Sequence, residues 1–305
     1  MPPPVELIGA PLDWGASRRG CRLGPDALRA LYLIPMAQDL GREMFDGGNV
    51  QLPPLPSGAL PSSPPGSPPA LNHEHAVVAT CDGLAERVES AMVAGRFPLV
   101  VGGDHSIAMG TLGGVARVVK NLGLIWVDAH ADFNDSTTSP SGNIHGMPLA
   151  AIVGQSDAVL NNIAGINPKV RPGRTVLLGV RDIDLLELPK LHSSGVTVFT
   201  SWEVERRGIQ AVVADALEVA GEGTDGVHLS FDLDSLNPLE MPGTGTTAAG
   251  GLTFREASVL VNQLQGSGRL VSCEVTELNP LLDMAGTSCR QARDLILYVL
   301  GKPLF

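Results

Sequence analysis

The stretch that says most about the fold runs Leu124-Ile125-Trp126-Val127-Asp128-Ala129-His130-Ala131-Asp132. Its four apolar residues predict a buried strand, after which a polar side chain stands at every second position. Alternate side chains of an extended chain share one face, so Asp128, His130 and Asp132 are expected to converge where that strand ends.

A second run of the same kind follows about a hundred residues later. The apolar segment 227–231 leads into Asp232-Leu233-Asp234, whose two carboxylates also share one face. Four carboxylates and an imidazole gathered in one place repel one another and raise their pKa values unless a cation neutralises them. A divalent metal is the simplest such cation.

Strand-like segments recur along the chain with helical stretches between them. They span residues 5–9, 98–101, 124–127, 175–179, 196–200, 226–231 and 270–275. Such alternation predicts an α/β protein, a three-layer α/β/α arrangement with a mainly parallel central sheet.

Two helices are indicated more specifically. Leu112, Val115, Val119 and Leu122 fall three or four residues apart, which is the spacing of one buried helical stripe. Gly24-Pro25 marks an early helix start, because proline is tolerated in the first turn, where its missing N–H costs nothing.

The length of 305 residues is compatible with a single domain covering residues 1–305. Residues 51–70 contain eight prolines, which preclude regular helix or sheet. We expect a surface loop there. A proline-rich ligand for an SH3-type partner is the alternative.

Composition narrows the function classes. Hydrophobic residues make up 44% of the chain and charged residues 17%, as in ordinary globular proteins. The formal net charge of -11, without a basic run, argues against a nucleic-acid partner. No segment reaches the ~20 apolar residues of a membrane span. Four widely spaced cysteines suggest buried free thiols, and a cytoplasmic enzyme is expected.

A third strand end adds an imidazole, because Gly102-Gly103-Asp104-His105 follows segment 98–101. In an open parallel sheet, ligands bind beyond the carboxyl ends of the strands. An isolated Asp-x-His-x-Asp run also occurs at solvated strand ends and helix caps, but the combined set indicates a metal site. The candidate ligands are His105, Asp128, His130, Asp132, Asp232 and Asp234.

Six ligands over-supply one ion and suit two ions about 3.5–4 Å apart. Oxygen-rich ligation with some imidazole favours Mn²⁺ over Zn²⁺. Two ions that share a water generate hydroxide near neutral pH, which predicts hydrolysis at a trigonal carbon or at phosphorus.

The following loop, residues 134–146, helps to choose between these substrates. It is rich in short hydrogen-bonding side chains and has no Lys or Arg to hold a phosphate. A phosphoester substrate is therefore disfavoured. Acidic residues elsewhere, notably Glu277 and Asp184, are suited to a cationic substrate.

The sequence resembles the ureohydrolase family, dimanganese enzymes that hydrolyse guanidino compounds to urea and an amine. The resemblance spans nearly the whole chain and is carried by Gly9-Ala10-Pro11, Gly24-Pro25, Gly102-Gly103-Asp104-His105-Ser106, Asp128-Ala129-His130-Ala131-Asp132, Ser230-Phe231-Asp232-Leu233-Asp234, Pro242-Gly243-Thr244-Gly245-Thr246, Gly250-Gly251 and Glu277-Leu278-Asn279-Pro280. The segment Ser141-Gly142-Asn143-Ile144-His145-Gly146, with Asn134, is most similar to the arginase branch.

The resemblance implies a role for each substrate-site residue. Asn134, Ser141 and Asn143 would contact the α-carboxylate of L-arginine, Asp184 would lie near the α-amino group, and Glu277 would pair with the guanidinium. His145 would transfer protons, for which the near-neutral pKa of histidine is suited. Thr246 is a weaker candidate, since Thr244-Gly245-Thr246 is also typical of a turn.

In the implied mechanism, Asp128 and Asp232 bridge two Mn²⁺ ions, His105 with Asp132 completes one site, and His130 with Asp234 completes the other. A bridging hydroxide attacks the guanidinium carbon, Asp132 passes a proton to the leaving amine, and L-ornithine and urea result.

The resemblance also implies a homo-oligomer, a trimer or a hexamer. The alternatives are another guanidino substrate, such as agmatine or guanidinobutyrate, and a non-catalytic binding module on the same scaffold.

Overall fold

The computed structural model describes residues 2–54 and 70–304. Within them, eight strands form one sheet in the order β2-β1-β3-β8-β7-β4-β5-β6, and every ladder is parallel. The strands are β1 (Val5–Ala10), β2 (Met44–Asn49), β3 (Phe97–Gly102), β4 (Leu122–Val127), β5 (Thr175–Val180), β6 (Thr197–Thr200), β7 (Gly226–Asp232) and β8 (Leu270–Thr276).

The predicted α/β class with a parallel central sheet is confirmed, and all seven predicted segments are strands. Strand β2 was missed. Its sequence, Met-Phe-Asp-Gly-Gly-Asn, has no apolar alternation, and only Met44 is buried. It pairs with β1 alone at the edge of the sheet, where a strand needs little apolar surface.

Eleven α-helices lie among the described residues. They are α1 (Gly24–Ala30), α2 (Leu33–Asp39), α3 (Glu74–Val93), α4 (Ala108–Val118), α5 (Pro148–Ile152), α6 (Ala158–Asn161), α7 (Leu188–Ser193), α8 (Ser201–Arg207), α9 (Ile209–Gly221), α10 (Phe254–Gly266) and α11 (Thr287–Val299). Short 3₁₀ turns follow several strands, including His105–Ile107 after β3 and Leu233–Ser235 after β7.

The sheet separates two hydrophobic cores, one on each face. Along β4, Leu124 and Trp126 belong to the core that contains α3, α4 and α5. The alternate residues Ile125 and Val127 belong to the core that contains α9, α10 and α11. Helices therefore cover both faces, which explains why β4 is apolar at successive positions rather than at alternate ones.

Of the two specific helix predictions, the start of α1 is confirmed and the extent of the second helix is wrong at its C-terminal end. Helix α1 begins at Gly24-Pro25 as expected. Helix α4 buries Leu112 and Val115, but Leu122 is not part of it, because the helix ends at Val118 and Leu122 is the first residue of β4. The apolar spacing continued across a helix-to-strand boundary, so periodicity alone placed the end too late.

The predicted proline-rich loop falls largely on residues 55–69, which lie outside the described residues. Across residues 2–54 and 70–304, none of the helices combines the length and the apolar character required to cross a membrane.

Candidate functional site

Five neighbouring strands direct polar side chains to one edge of the sheet, beyond their carboxyl ends. In spatial order β3, β8, β7, β4 and β5, they lead to His105, Glu277, Asp232 with Asp234, Asp128 to Asp132, and Asp182 with Asp184. Residues that lie far apart in the chain meet here because parallel strands all end at this edge.

His105 is held in place by its neighbours on three sides. Its ring stacks on Trp126, with centroids 3.9 Å apart and planes 12° apart. Its Nε2 lies 2.8 Å from the Ser230 hydroxyl, and its backbone N–H donates to Glu277 at 3.0 Å. The ring orientation leaves Nδ1 facing the carboxylates.

Asp128 is shared by two groups of potential ligands, one with His105 and Asp132 and the other with His130 and Asp234. Its Oδ2 lies 3.1 Å from His105 Nδ1, and its Oδ1 lies 3.5 Å from His130 Nδ1. Trp126 donates its indole N–H to Asp128 at 2.9 Å. A carboxylate between two imidazoles has the geometry of a bridge.

The other carboxylates lie close to the same two imidazoles. His105 Nδ1 lies 3.3 Å from Asp132 and 3.0 Å from Asp232, and His130 Nδ1 lies 3.2 Å from Asp234. All six side chains predicted as metal ligands are thus brought together at one place.

The electrostatics of the six residues favour a cation. Burial and the nearby Asp128 raise the pKa of Asp132 well above its usual value. Burial and Asp234 do the same to the pKa of Asp232. Burial acts to lower the pKa of His105, but the adjacent carboxylates of Asp128 and Asp232 raise it well above normal. The site thus contains four buried carboxylates but only two imidazoles that could carry a compensating positive charge, so a bound cation would stabilise it.

The donor set also fits divalent ions. Among the described residues, His105 Nδ1 and Asp234 Oδ1 are buried and make no hydrogen bond of ordinary geometry, although both face this group of side chains. Such atoms are costly to bury unless something is bound to them. Carboxylate oxygens with imidazole nitrogens are ligands that manganese accepts. A buried His/Asp group that is able to hold metal is therefore present.

Glu277 and His145 lie beside this group. Glu277 follows β8 with a φ of 63°, and its carboxylate is nearly fully buried. Its Oε1 lies 3.2 Å from His145 Nδ1. Burial acts to lower the pKa of His145, but the hydrogen bond to Glu277 raises it. The Glu277 carboxylate is a group that can bind a cation, and the His145 imidazole is a group that can exchange a proton.

A cavity of about 210 Å³ opens onto the carboxylates. One part of its wall is acidic, and another is the neutral loop that contains Ser139, Ser141 and Asn143. No Lys or Arg stands among the described residues that line it, while Arg18 lines an adjoining cavity. The predicted residues in its wall are His105, His130, Asp132, Asn134, Ser141, Asn143, His145, Asp184, Asp232, Asp234 and Thr246. Asp128 and Glu277 are buried and are not among the residues that line the cavity.

Sequence reasoning missed Glu187, which also lines the cavity. Its carboxylate accepts the backbone N–H groups of Phe133 at 3.0 Å and Asp184 at 2.9 Å, and burial raises its pKa to about 7. It thereby ties the loop after β5 to the loop after β4. Asp182 and Ser139, for which no role was predicted, line the cavity as well. The position of Asp182 directly after an apolar strand was the available signal.

Arg181 joins two loops of the site. Its guanidinium donates to the backbone carbonyls of Asp234 at 2.9 Å and Ser235 at 3.0 Å. It also donates to the carbonyls of Ala248 and Ala249, both at 3.1 Å. One cation therefore holds the metal-ligand loop after β7 against the segment that follows Thr246.

Comparison with known proteins agrees with this geometry. The model of the arginase family matches residues 3–301. The arginase of Brevibacillus brevis is 42% identical over 302 residues, which cover 98% of each chain. The arginase of Bacillus caldovelox is 41% identical over 301 residues and 99% of each chain. The native structure of the latter at pH 5.6 superposes with a TM-score of 0.92 at 40% identity, covering 99% of this chain and all of that one.

Proposed function

Because this chain belongs to the arginase family and is therefore an amidinohydrolase, we propose that it hydrolyses L-arginine to L-ornithine and urea. Family membership sets aside the alternative of a non-catalytic binding module. The observation that carries the choice of substrate is the lining of the cavity, which combines carboxylates with neutral hydrogen-bond donors and, among the described residues, contains no Lys or Arg.

The substrate carries three charged groups, and each has a counterpart. The guanidinium is cationic and would pair with Glu277. The α-amino group would lie near Asp184, whose carboxylate accepts from Asn134 at 2.9 Å. The α-carboxylate would be held by Asn134, Ser141 and Asn143, which offer N–H and O–H groups. Thr246 completes the wall beside them.

The metal site would hold two Mn²⁺ ions: His105 with Asp132 would bind one, His130 with Asp234 would bind the other, and Asp128 and Asp232 would contribute to both. When bound, two such ions lower the pKa of a shared water towards neutrality and so supply a nucleophile for the guanidinium carbon. Support comes from the shared position of Asp128 and from the buried atoms His105 Nδ1 and Asp234 Oδ1, which make no hydrogen bond of ordinary geometry.

Two side chains, Asp132 and His145, would transfer protons during the reaction. Asp132 lines the cavity and would accept a proton there, then deliver it to the departing δ-amine. His145 is partly accessible from the cavity and would exchange protons with solvent. Cleavage of the C–N bond with addition of one water gives L-ornithine and urea.

The proposal also covers the cellular and quaternary setting. All four cysteines are buried as free thiols, which is typical of a reducing compartment, and we place the enzyme in the cytoplasm. We take residues 1–305 as one domain, supported by the continuous sheet, and expect a homo-oligomer, a trimer or a hexamer. Sedimentation of the purified protein measures the oligomer.

Urea release from three guanidino compounds tests the function. Manganese-loaded protein is expected to turn over L-arginine with a kcat/KM far above the values for agmatine and guanidinobutyrate. Faster turnover of either of the last two would assign the enzyme to that substrate instead, because both lack the complete α-amino acid group that the cavity wall would recognise.

A further inference from the structure

Asn72 contacts the loop that would hold the substrate carboxylate, although it lies well before that loop in the chain. It stands two residues before helix α3. Its backbone N–H donates to the carbonyl of Gly142 at 2.9 Å. Its side-chain nitrogen donates to the carbonyl of Ser141 at 3.1 Å and to Asn143 Oδ1 at 2.9 Å. Three hydrogen bonds thus join one residue to three consecutive loop residues.

These bonds determine which way the Asn143 amide points. The Ser141 carbonyl can only accept, so the end of the Asn72 amide that faces it is the NH₂ group. The second hydrogen of that NH₂ group points at Asn143, which must therefore offer its carbonyl oxygen. The Asn143 NH₂ group is consequently directed away from Asn72.

One hydrogen of the Asn143 NH₂ group is used within the protein, because this group donates to the Ser17 hydroxyl at 2.8 Å. The second hydrogen remains for a ligand. Asn143 lines the main cavity and also the adjoining one. Reversing its amide would present a carbonyl oxygen to a bound carboxylate, and two acceptors that face each other repel.

We propose that Asn72 is a specificity-determining residue that acts by positioning. It fixes the orientation of the Asn143 amide, so that the loop presents an N–H donor to the α-carboxylate of the substrate. This inference rests on the proposed function, in which Asn143 contacts that carboxylate. Neutral donors line the main cavity without Lys or Arg among its described residues, so the direction of each amide matters.

The experiment compares three variants with the parent protein in its manganese-loaded form. Asn72→Asp keeps the shape but replaces the NH₂ donor by an acceptor, which forces the Asn143 amide to reverse. Asn72→Leu removes the donor without adding charge. Asn162→Asp is the matched control, since Asn162 is exposed and its side chain donates to the Ala158 carbonyl within its own helical turn.

The readouts are kcat and KM for L-arginine, the inhibition constant of agmatine against arginine turnover, and the unfolding temperature. Asn72→Asp is expected to raise KM about tenfold, the size of one hydrogen bond to a charged group, with kcat within about twofold. Asn72→Leu should raise KM about threefold, because the amide is then free to adopt both orientations. Agmatine has no carboxylate, so its inhibition constant should stay within about twofold in every variant.

An unchanged KM for arginine in both Asn72 variants would overturn the inference. A parallel rise in the agmatine inhibition constant would also overturn it, because that result indicates general distortion of the cavity. If the proposed function itself is wrong, the parent protein will release no urea from arginine, and this result is distinct from any difference between the variants.

Discussion

His145 Nδ1 lies 3.2 Å from Glu277 Oε1, and the carboxylate of this pair is almost completely buried. The same Glu277 oxygen accepts the backbone N–H of His105. The proposed proton carrier and the proposed guanidinium partner are therefore linked to each other and to the backbone of His105, a proposed metal ligand. Changes at His145 should alter the chemistry more than the assembly of the metal site.

Replacing His145 with Asn should lower kcat about 100-fold, the usual contribution of one general acid or base, while KM changes little. Burial acts to lower the pKa of His145, but Glu277 raises it, so the ring keeps its proton to higher pH than an ordinary histidine. The pH profile of kcat should lose one titration in the variant. Metal content, measured on the same sample, should match that of the parent. Equal kcat values would remove His145 from the mechanism.

The double variant Asn134→Ala with Ser141→Ala tests the carboxylate contacts. KM for arginine should rise at least about tenfold, since donors to a charged group are lost. The inhibition constant of agmatine should change much less. Measuring both constants on one preparation provides the internal control. Equal effects on the two compounds would argue against a carboxylate role for these residues.

The close approach at Gly103 predicts a loss of stability. A Cβ at Gly103 would lie 2.0 Å from the Leu12 carbonyl oxygen and 2.7 Å from that of Ala10, and backbone cannot easily move aside. Gly103→Ala should cost about 1–3 kcal/mol in the free energy of unfolding. Gly83 in α3 is the matched control, because no atom of the described residues outside its own helical turn lies within 4 Å of the place that a Cβ would take. Gly83→Ala should stabilise by up to about 1 kcal/mol. Urea denaturation of both variants measures the contrast.

The ion pair between Asp135 and Lys190 should make a pH-dependent contribution to the free energy of unfolding. Burial acts to raise its pKa, but the ion pair with Lys190 and the Thr137 hydroxyl lower it to about 2. Because the folded value lies below the unfolded one, the stabilisation is present above about pH 4 and is lost as the pH falls towards 2. Asp135→Asn should cost at most about 1 kcal/mol at pH 7.

Thermal unfolding between pH 7 and pH 3 checks this expectation. The difference between the parent and Asp135→Asn should shrink as the pH falls, and Lys190→Met should behave in the same way. A difference that stays constant with pH would exclude the ion pair as its source.

Most strands of the sheet could be predicted from the local pattern of apolar and polar residues. An apolar run ending in Asp128-Ala129-His130 is recognisable because a strand buried on both faces needs apolar residues throughout, and its end is where polar side chains begin. The edge strand β2 carries no such pattern, since only Met44 is buried. The end of α4 was misjudged because Leu122 keeps the helical spacing while it already lies in β4.

The convergence of the metal-ligand candidates was equally predictable, because each lies at a strand end or within five residues after it. Glu187 was not, since it lies within a loop and its role depends on the backbone groups of Phe133 and Asp184 that folding brings to it. Asn72 was missed for the same reason, since its contacts with the carboxylate loop are entirely tertiary.

The most direct test of the central claim is the metal content per subunit measured against urea turnover, for the parent protein, Asp128→Asn and the control Asp215→Asn. The parent and the control are expected to hold two manganese ions per subunit at full activity. Asp128→Asn should hold fewer than one and lose at least about 100-fold in turnover, because a shared carboxylate supports both ions. Full turnover with a single ion, or Asp128→Asn retaining both ions and full activity, would contradict the account.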